Sequence, residues 1–129
     1  MPRLRVLAVA AKLPGWAEEA CAEYARRMPR GYEVERISVK KIPPQREAWI
    51  ALDERGKDLT TRQFAALLGS DASFIIGGAD GLPDQVKQSA RLLLRISSLT
   101  LPHALAQVVL LEQLYRAATL LTGHPYHRA

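Results

Sequence analysis

The residues from His124 to Ala129 (His-Pro-Tyr-His-Arg-Ala) hold two of the chain's three histidines, one of its four tyrosines and an arginine. Imidazole exchanges protons near neutral pH, a phenol stacks and hydrogen-bonds, and a guanidinium grips anions with a planar fork. Gly123 and Pro125 fit an ordinary helix exit, a stop followed by a residue that cannot continue the helix. That exit does not require Tyr126-His127-Arg128, which is therefore a candidate for proton transfer and anion binding.

Two upstream segments have chemical potential of another kind. Leu99-Thr100-Leu101-Pro102-His103 sets one hydroxyl and one imidazole among apolar residues, with proline fixing the turn. Its backbone can hold an adenine edge while the leucines pack the ring. His103 taken alone is more often a structural histidine than a catalyst. Gly77-Gly78-Ala79-Asp80-Gly81 lets the backbone approach a ligand closely. It has neither the dinucleotide glycine spacing nor the phosphate-loop lysine, and a tight strand-to-helix turn explains it equally well. Asp80 reads as a ligand contact or a helix cap. No His, Cys and carboxylate cluster has metal-ligand spacing, and no Gly-x-Ser-x-Gly nucleophile turn is present.

The elements that must position these segments follow from periodicity. Leu4 to Ala10 is apolar apart from Arg5, as a buried strand would be. Ala17, Ala20, Cys21, Tyr24, Ala25 and Met28 form one stripe of an amphipathic helix, with Glu23 and Arg27 paired on its wet side. Pro29-Arg30-Gly31 ends it. Tyr32 to Val39 alternates as a second strand. Lys40-Lys41-Ile42-Pro43-Pro44 is a basic, proline-stiffened loop, read first as a solvated connection and second as an RNA contact. Ala48 to Leu52 is a third strand, with a turn expected over Asp53 to Lys57. Thr60 or Thr61 caps a helix over Arg62 to Leu68. Phe74 to Ile76 is a strand running into the glycine loop. A brief helix covers Pro83 to Ala90, and a fifth strand covers Leu92 to Leu99. Pro102 opens the last helix, from His103 to Leu121. Its apolar residues cover over half its circumference, so it is expected to be buried on two sides, the second fitting another subunit.

Strands alternating with helices predict an α/β domain over residues 1–129, a mostly parallel sheet with helices on both faces. Ligands then bind beyond the carboxyl ends of the strands. Three loops lie there: after Leu52, at Gly77 to Gly81, and at Ser97 to Pro102. With 129 residues, 48% of them hydrophobic, the chain can bury a core rather than remain disordered. No apolar run approaches the ~20 residues that span a bilayer. A single cysteine, Cys21, excludes an internal disulfide and a cysteine metal cluster, and suggests a reducing cytoplasmic setting. The net charge of +5 suits a polyanionic partner without demanding one.

Taken together and in order, Gly77-Gly78-Ala79-Asp80-Gly81, Ser98 to His103, Leu114-Tyr115-Arg116-Ala117 and His124 to Arg128 resemble one family. It is the bacterial large-subunit ribosomal RNA pseudouridine N3-methyltransferases (RlmH), of the SPOUT class. Lys12-Leu13-Pro14-Gly15-Trp16 and Glu23-Tyr24-Ala25-Arg26-Arg27 are similar to family segments too. The stretch between Val39 and Ala48 is much shorter than in typical members, which affects only RNA contacts made there.

The resemblance implies a homodimer with a trefoil knot at the carboxyl end of the α/β fold, a feature hydrophobic patterning cannot reveal. It implies S-adenosylmethionine held by Leu52, Gly78, Ile96, Ser97, Ser98, Leu99, Thr100 and Leu101, and no metal. It implies a pseudouridine target in the helix-69 loop of 23S rRNA, met on assembled ribosomes. On that basis His127 is expected to be the base or proton relay, with His103 the second candidate. Arg128 is expected to stabilise the anion or hold phosphate, and Tyr126 to stack or orient. In a dimer the tail can complete the partner's pocket instead of its own. Two alternatives stand beside this reading, a SPOUT methyltransferase with another RNA target and a catalytically silent ribosome-binding dimer. An adenine-nucleotide enzyme is a weaker third, since the glycine loop has no adjacent lysine or serine.

Overall fold

The structure is a computed structural model that describes residues 2–43 and 48–126. The first strand, β1 (Leu4–Val9), sends Leu4, Val6 and Ala8 to one face of a sheet and Leu7 and Val9 to the other. Both faces are apolar because β1 is interior, with a strand on each side. The remaining elements are α1 (Gly15–Arg27), β2 (Val34–Val39), β3 (Ile50–Asp58), α2 (Thr61–Ala66) with a 3-10 turn over Leu67–Gly69, β4 (Ala72–Gly77), α3 (Asp84–Ser89), β5 (Leu92–Arg95) and α4 (His103–Thr122). The strands pair in the order β2-β1-β4-β3-β5, and every pair is parallel.

The helices cover the two faces unequally. On one, α1, α2 and α4 bury Cys21, Phe64, Leu110, Leu111 and Leu114 over Leu4, Val6, Phe74 and Ile76. The other is covered by Trp49, Leu82 and the half-buried Val86 and Ala90, packed on Leu7, Ala51 and Ile75. Arg5, the one charge in the first apolar run, is half-buried on that second face. Its Nε and Nη2 donate to Ser73 Oγ at 3.3 and 3.2 Å, and its guanidinium lies 5.9 Å from the Trp49 ring. A polar partner and an aromatic face make an arginine tolerable there.

Two strand boundaries differ from expectation. β3 does not stop at Leu52. Its register slips, so that Leu52 and Lys57 both lie opposite Leu94, and the chain between them loops out. Gly56 makes the return possible: a Cβ there would lie 2.6 Å from the carbonyl carbon of Leu94. Asp58 then pairs with Arg95, whose Nε donates to its carboxylate at 2.7 Å. β5 ends at Arg95 rather than Leu99, because the chain turns away over the strand ends. Of the two candidate threonines, Thr60 is the cap, in a reciprocal box with Gln63.

Glu18 of α1 is clamped by Arg36 of β2 through two bonds of 2.8 and 3.0 Å. The guanidinium holds the Glu18 carboxyl below the usual glutamate range. A carboxyl whose folded pKa is depressed adds stability above its unfolded pKa, and loses it as pH falls through the folded value. Glu18→Gln is therefore expected to melt lower than the unsubstituted chain at neutral pH, and the two melting curves should converge below about pH 4. An equal gap at both pH values would show that the clamp adds no charge-dependent stability.

Candidate active site

Beyond the carboxyl ends of β3, β4 and β5 lies a cavity of about 550 Å³, within the range usual for small-ligand sites. Its walls come from Leu52 to Glu54, from Ile76 to Leu82, from Leu94 to Ser97, and from Leu99 through the first turn of α4 to His103 and Ala106. Lys87 of α3 completes it. The three loops that the strand-end rule picks out in the sequence, after Leu52, at Gly77 to Gly81 and at Ser97 to Pro102, all contribute to these walls.

Local chemistry explains each wall. The glycine loop is folded on itself, with Gly81 N–H donating to Gly78 C=O at 3.0 Å. A Cβ on Gly78 would stand 2.3 Å from the Ala10 carbonyl oxygen, so the loop rests directly on the exit of β1. In the third wall, Leu99 N–H donates to Ser97 Oγ at 2.9 Å, a local turn that throws the Leu99 side chain outward. The cavity surface mixes Leu52, Ile76, Ile96 and Leu101 with the acids Asp53, Glu54 and Asp80 and the bases Lys87, Arg95 and His103.

Of the expected cofactor residues, Leu52, Gly78, Ile96, Ser97, Leu99, Thr100 and Leu101 line this cavity, and Ser98 does not. His103 lines it from the start of α4. Sequence reasoning missed Asp53 and Lys87, which form an ion pair at 3.3 Å with the Asp53 side chain only 12% exposed. An acid directly after the last apolar residue of a strand was the available signal. It was hidden because the expected turn over Asp53 to Lys57 made Asp53 look like a solvated loop residue.

Tyr126 sits elsewhere. The chain leaves α4 at Gly123, and His124 N–H donates to Thr119 C=O at 3.0 Å. The Tyr126 ring packs on Tyr115 with centroids 4.5 Å apart, and Arg116 lies 5.1 Å over its face. Its hydroxyl donates to Glu112 Oε2 at 2.8 Å, the oxygen that also accepts from Arg116 Nη2 at 2.8 Å and Nε at 3.1 Å. Gln113 Nε2 donates to the other oxygen at 2.7 Å. Burial, then the bond to Glu112, push the Tyr126 phenol up to about 12, so it remains a donor throughout the neutral range. Glu112 lies six residues along α4 from Ala106, the nearest cavity residue on that helix, roughly 9 Å at the rise of an α-helix. Tyr126 is thus fastened to mid-helix and is not part of its own chain's cavity. His127 and Arg128 lie outside the described residues.

The fold and site define an α/β protein with a cavity of a size for a nucleoside-sized ligand beyond the carboxyl ends of a parallel sheet. Residues 33–127 match the sequence pattern of the family described as "Predicted SPOUT methyltransferase". The chain belongs to this family, and it is a methyltransferase. It is 46% identical over 145 aligned positions to ribosomal RNA large subunit methyltransferase H of Polynucleobacter asymbioticus, covering 98% of this chain and 99% of that one. The protein of the same name from Paraburkholderia xenovorans is 44% identical over 154 positions, with the same coverage. Both alignments are longer than the 129 residues of the chain, so each relative carries residues that this one lacks. Among solved structures, a Bacillus anthracis protein with a provisional RNA methyltransferase description matches with TM-score 0.63 at 13% identity, covering 98% of both chains. A Haemophilus influenzae protein of the methylase family matches with TM-score 0.65 at 10% identity, covering 99% of this chain and 71% of that one. At those identities the two structures support the fold alone.

Proposed function

We propose that this chain methylates N3 of a pseudouridine in the helix-69 loop of 23S rRNA, taking the methyl group from S-adenosylmethionine. The reading places it in the cytoplasm as a homodimer acting on assembled ribosomes. The observation that carries it is the near-full-length identity to proteins named ribosomal RNA large subunit methyltransferase H.

The cavity suits the proposed donor. Leu52, Ile96 and Leu101 offer an apolar bed for an adenine ring, and Asp53, Glu54 and Asp80 are opposite in sign to a sulfonium and an ammonium. When bound, S-adenosylmethionine supplies an electrophilic methyl group, and that part of the chemistry is its own. The chain must orient the base nitrogen, exclude water and promote loss of a weakly acidic N3 proton. His127 takes that proton, with His103 at the cavity wall as the second candidate. Arg128 stabilises the charge developing on the ring carbonyls. Tyr126, held by Glu112 and Arg116, acts in this reading as the anchor that orients His127 and Arg128.

Attachment of Tyr126 to the middle of α4, outside the lining of its own chain's cavity, supports delivery of the tail to the partner's cavity in a dimer. Leu105, 36% exposed, and the half-buried Val109, one turn apart on α4 and outside both core clusters, support a second subunit on that face. Tyr126→Phe removes a hydrogen bond to a carboxylate, worth about 1.5 kcal/mol, or roughly tenfold in the docked fraction of the tail. Single-turnover methyl transfer is expected to slow by about that factor with the cofactor Kd unchanged. An undiminished rate would remove the anchor role.

The test of the whole reading is methylation of free rRNA, isolated subunits and whole ribosomes, followed by mapping of the modified base. A methyl group mapped to another nucleotide would leave a SPOUT enzyme with a different target. Absence of S-adenosylmethionine binding by calorimetry would leave the silent ribosome-binding dimer.

A further inference from the structure

The surface beyond the carboxyl ends of the strands has two halves. The cavity lies over β4, β3 and β5, while the exits of β1 and β2 carry Lys12, Lys40 and Lys41. The halves are joined through backbone contacts. Ala10 N–H donates to Val39 C=O at 2.9 Å, tying the exit of β1 to that of β2. On its other side Ala10 presses its carbonyl oxygen against Gly78, at the cavity rim. A continuous strip therefore runs from Lys40 and Lys41, past Lys12, to the cavity.

The strip is basic and carries one aromatic face. All three lysines are exposed, and none forms an ion pair with a carboxylate among the described residues. Of the two acids early in α1, Glu18 is neutralised by Arg36, while Glu19 is exposed and forms no ion pair among the described residues. Trp16, four residues after Lys12 in the first turn of α1, is 57% exposed and belongs to neither core cluster. Core packing does not explain that indole. Cations that follow a phosphate backbone, with an aromatic face on which an unpaired base can stack, are the elements of a single-strand binding surface.

We infer that Lys12, Lys40, Lys41 and Trp16 form the docking track for the unpaired RNA beside the target nucleotide. The lysines contact phosphates, and Trp16 stacks on a base next to the one delivered to the cavity. A second copy of this chain fits the track less well, because a two-fold contact would set three uncompensated lysines against the same three. The inference rests on the reading that the substrate is RNA, but not on which nucleotide receives the methyl group.

The test compares the unsubstituted chain with Lys12→Ala/Lys40→Ala/Lys41→Ala, Trp16→Ala and Trp16→Phe, on whichever rRNA or ribosomal particle the chain methylates. The triple variant is expected to raise KM for that substrate on the order of tenfold, with kcat and cofactor Kd unchanged. Its log–log salt dependence should flatten by about 2, near 0.7 for each lost single-strand phosphate contact. Trp16→Ala should also raise KM, and Trp16→Phe, which keeps a stacking face, should restore most of the loss. Unchanged KM and salt slope in variants of an active enzyme would overturn the track alone. So would a loss of dimer in sedimentation velocity with RNA affinity intact, which would make the strip a self-association surface. An unsubstituted chain that neither binds nor methylates RNA would overturn the functional reading, and the track with it.

Discussion

Deletion of residues 124–129 is expected to lower methyl transfer by at least about a thousandfold while changing S-adenosylmethionine affinity by less than about twofold. The asymmetry follows from where the two functions lie. Among the described residues, none after Ala106 lines the cavity of its own chain, so the truncation leaves those walls intact. Glu112 keeps Arg116 and Gln113 as partners, so no carboxylate is stranded when the Tyr126 hydroxyl goes. The truncation does remove His127, proposed to take the N3 proton, and Arg128, proposed to hold the charge that the proton leaves behind. A positioned base typically contributes 10²–10⁴ and an oxyanion donor 10²–10³, and such losses overlap rather than multiply. Calorimetry with S-adenosylmethionine and single-turnover transfer to rRNA measure the two sides separately. Full transfer by the truncated chain would end the catalytic role of the tail. Lost cofactor affinity would mean that the tail supports the cavity itself.

The second large effect is at Gly78. A Cβ there meets the backbone carbonyl of Ala10 at 2.3 Å, and the peptide that would have to move belongs to the exit of β1. No rotamer change relieves such a clash, so the glycine loop itself must shift. Gly78→Ala is expected to lower the melting temperature and to weaken cofactor binding at least tenfold, about 1.4 kcal/mol. Gly78→Leu should add further loss of affinity, because its larger side chain needs still more room where the loop meets the cavity. Comparing the two separates backbone displacement from side-chain bulk. A folded Gly78→Leu protein with unaltered affinity would remove this loop from the cofactor site.

Much of the architecture was legible because the relevant signals are local. The stripe from Ala17 to Met28 and the continuous run from Leu4 each have one physical solution, and both formed close to where periodicity placed them. Strand ends depend on distant contacts and were less legible. β3 continues past the expected turn only because Gly56 lets it lie against β5, a strand some 40 residues later. β5 stops early because Ile96 to Leu101 are drawn over the cavity, although their composition suits a strand. The cavity walls were legible as a class, since ligands gather at strand exits in parallel sheets. The Asp53–Lys87 pair was not, because it joins a β3 residue to a helix whose orientation no local pattern reveals. Nor was the hold of Glu112 on Tyr126 apparent, since those residues are 14 apart and the chain reverses direction between them.

The order of the strands also has a consequence for biosynthesis. β1 is made first, yet its inner neighbour β4 pairs with it across 68 residues, Leu4 lying opposite Ala72. At the usual 5–20 residues per second a ribosome takes about 3 to 14 s to bridge that gap. The helix that seals the same core, α4, is made later still. Sheets assembled from such distant partners close slowly, and their unpaired edges invite association meanwhile. An amino-terminal fragment ending before β4 is then a strand pair with one apolar edge open and much of its covering layer missing. The half of this protein made first is held together by the half made last.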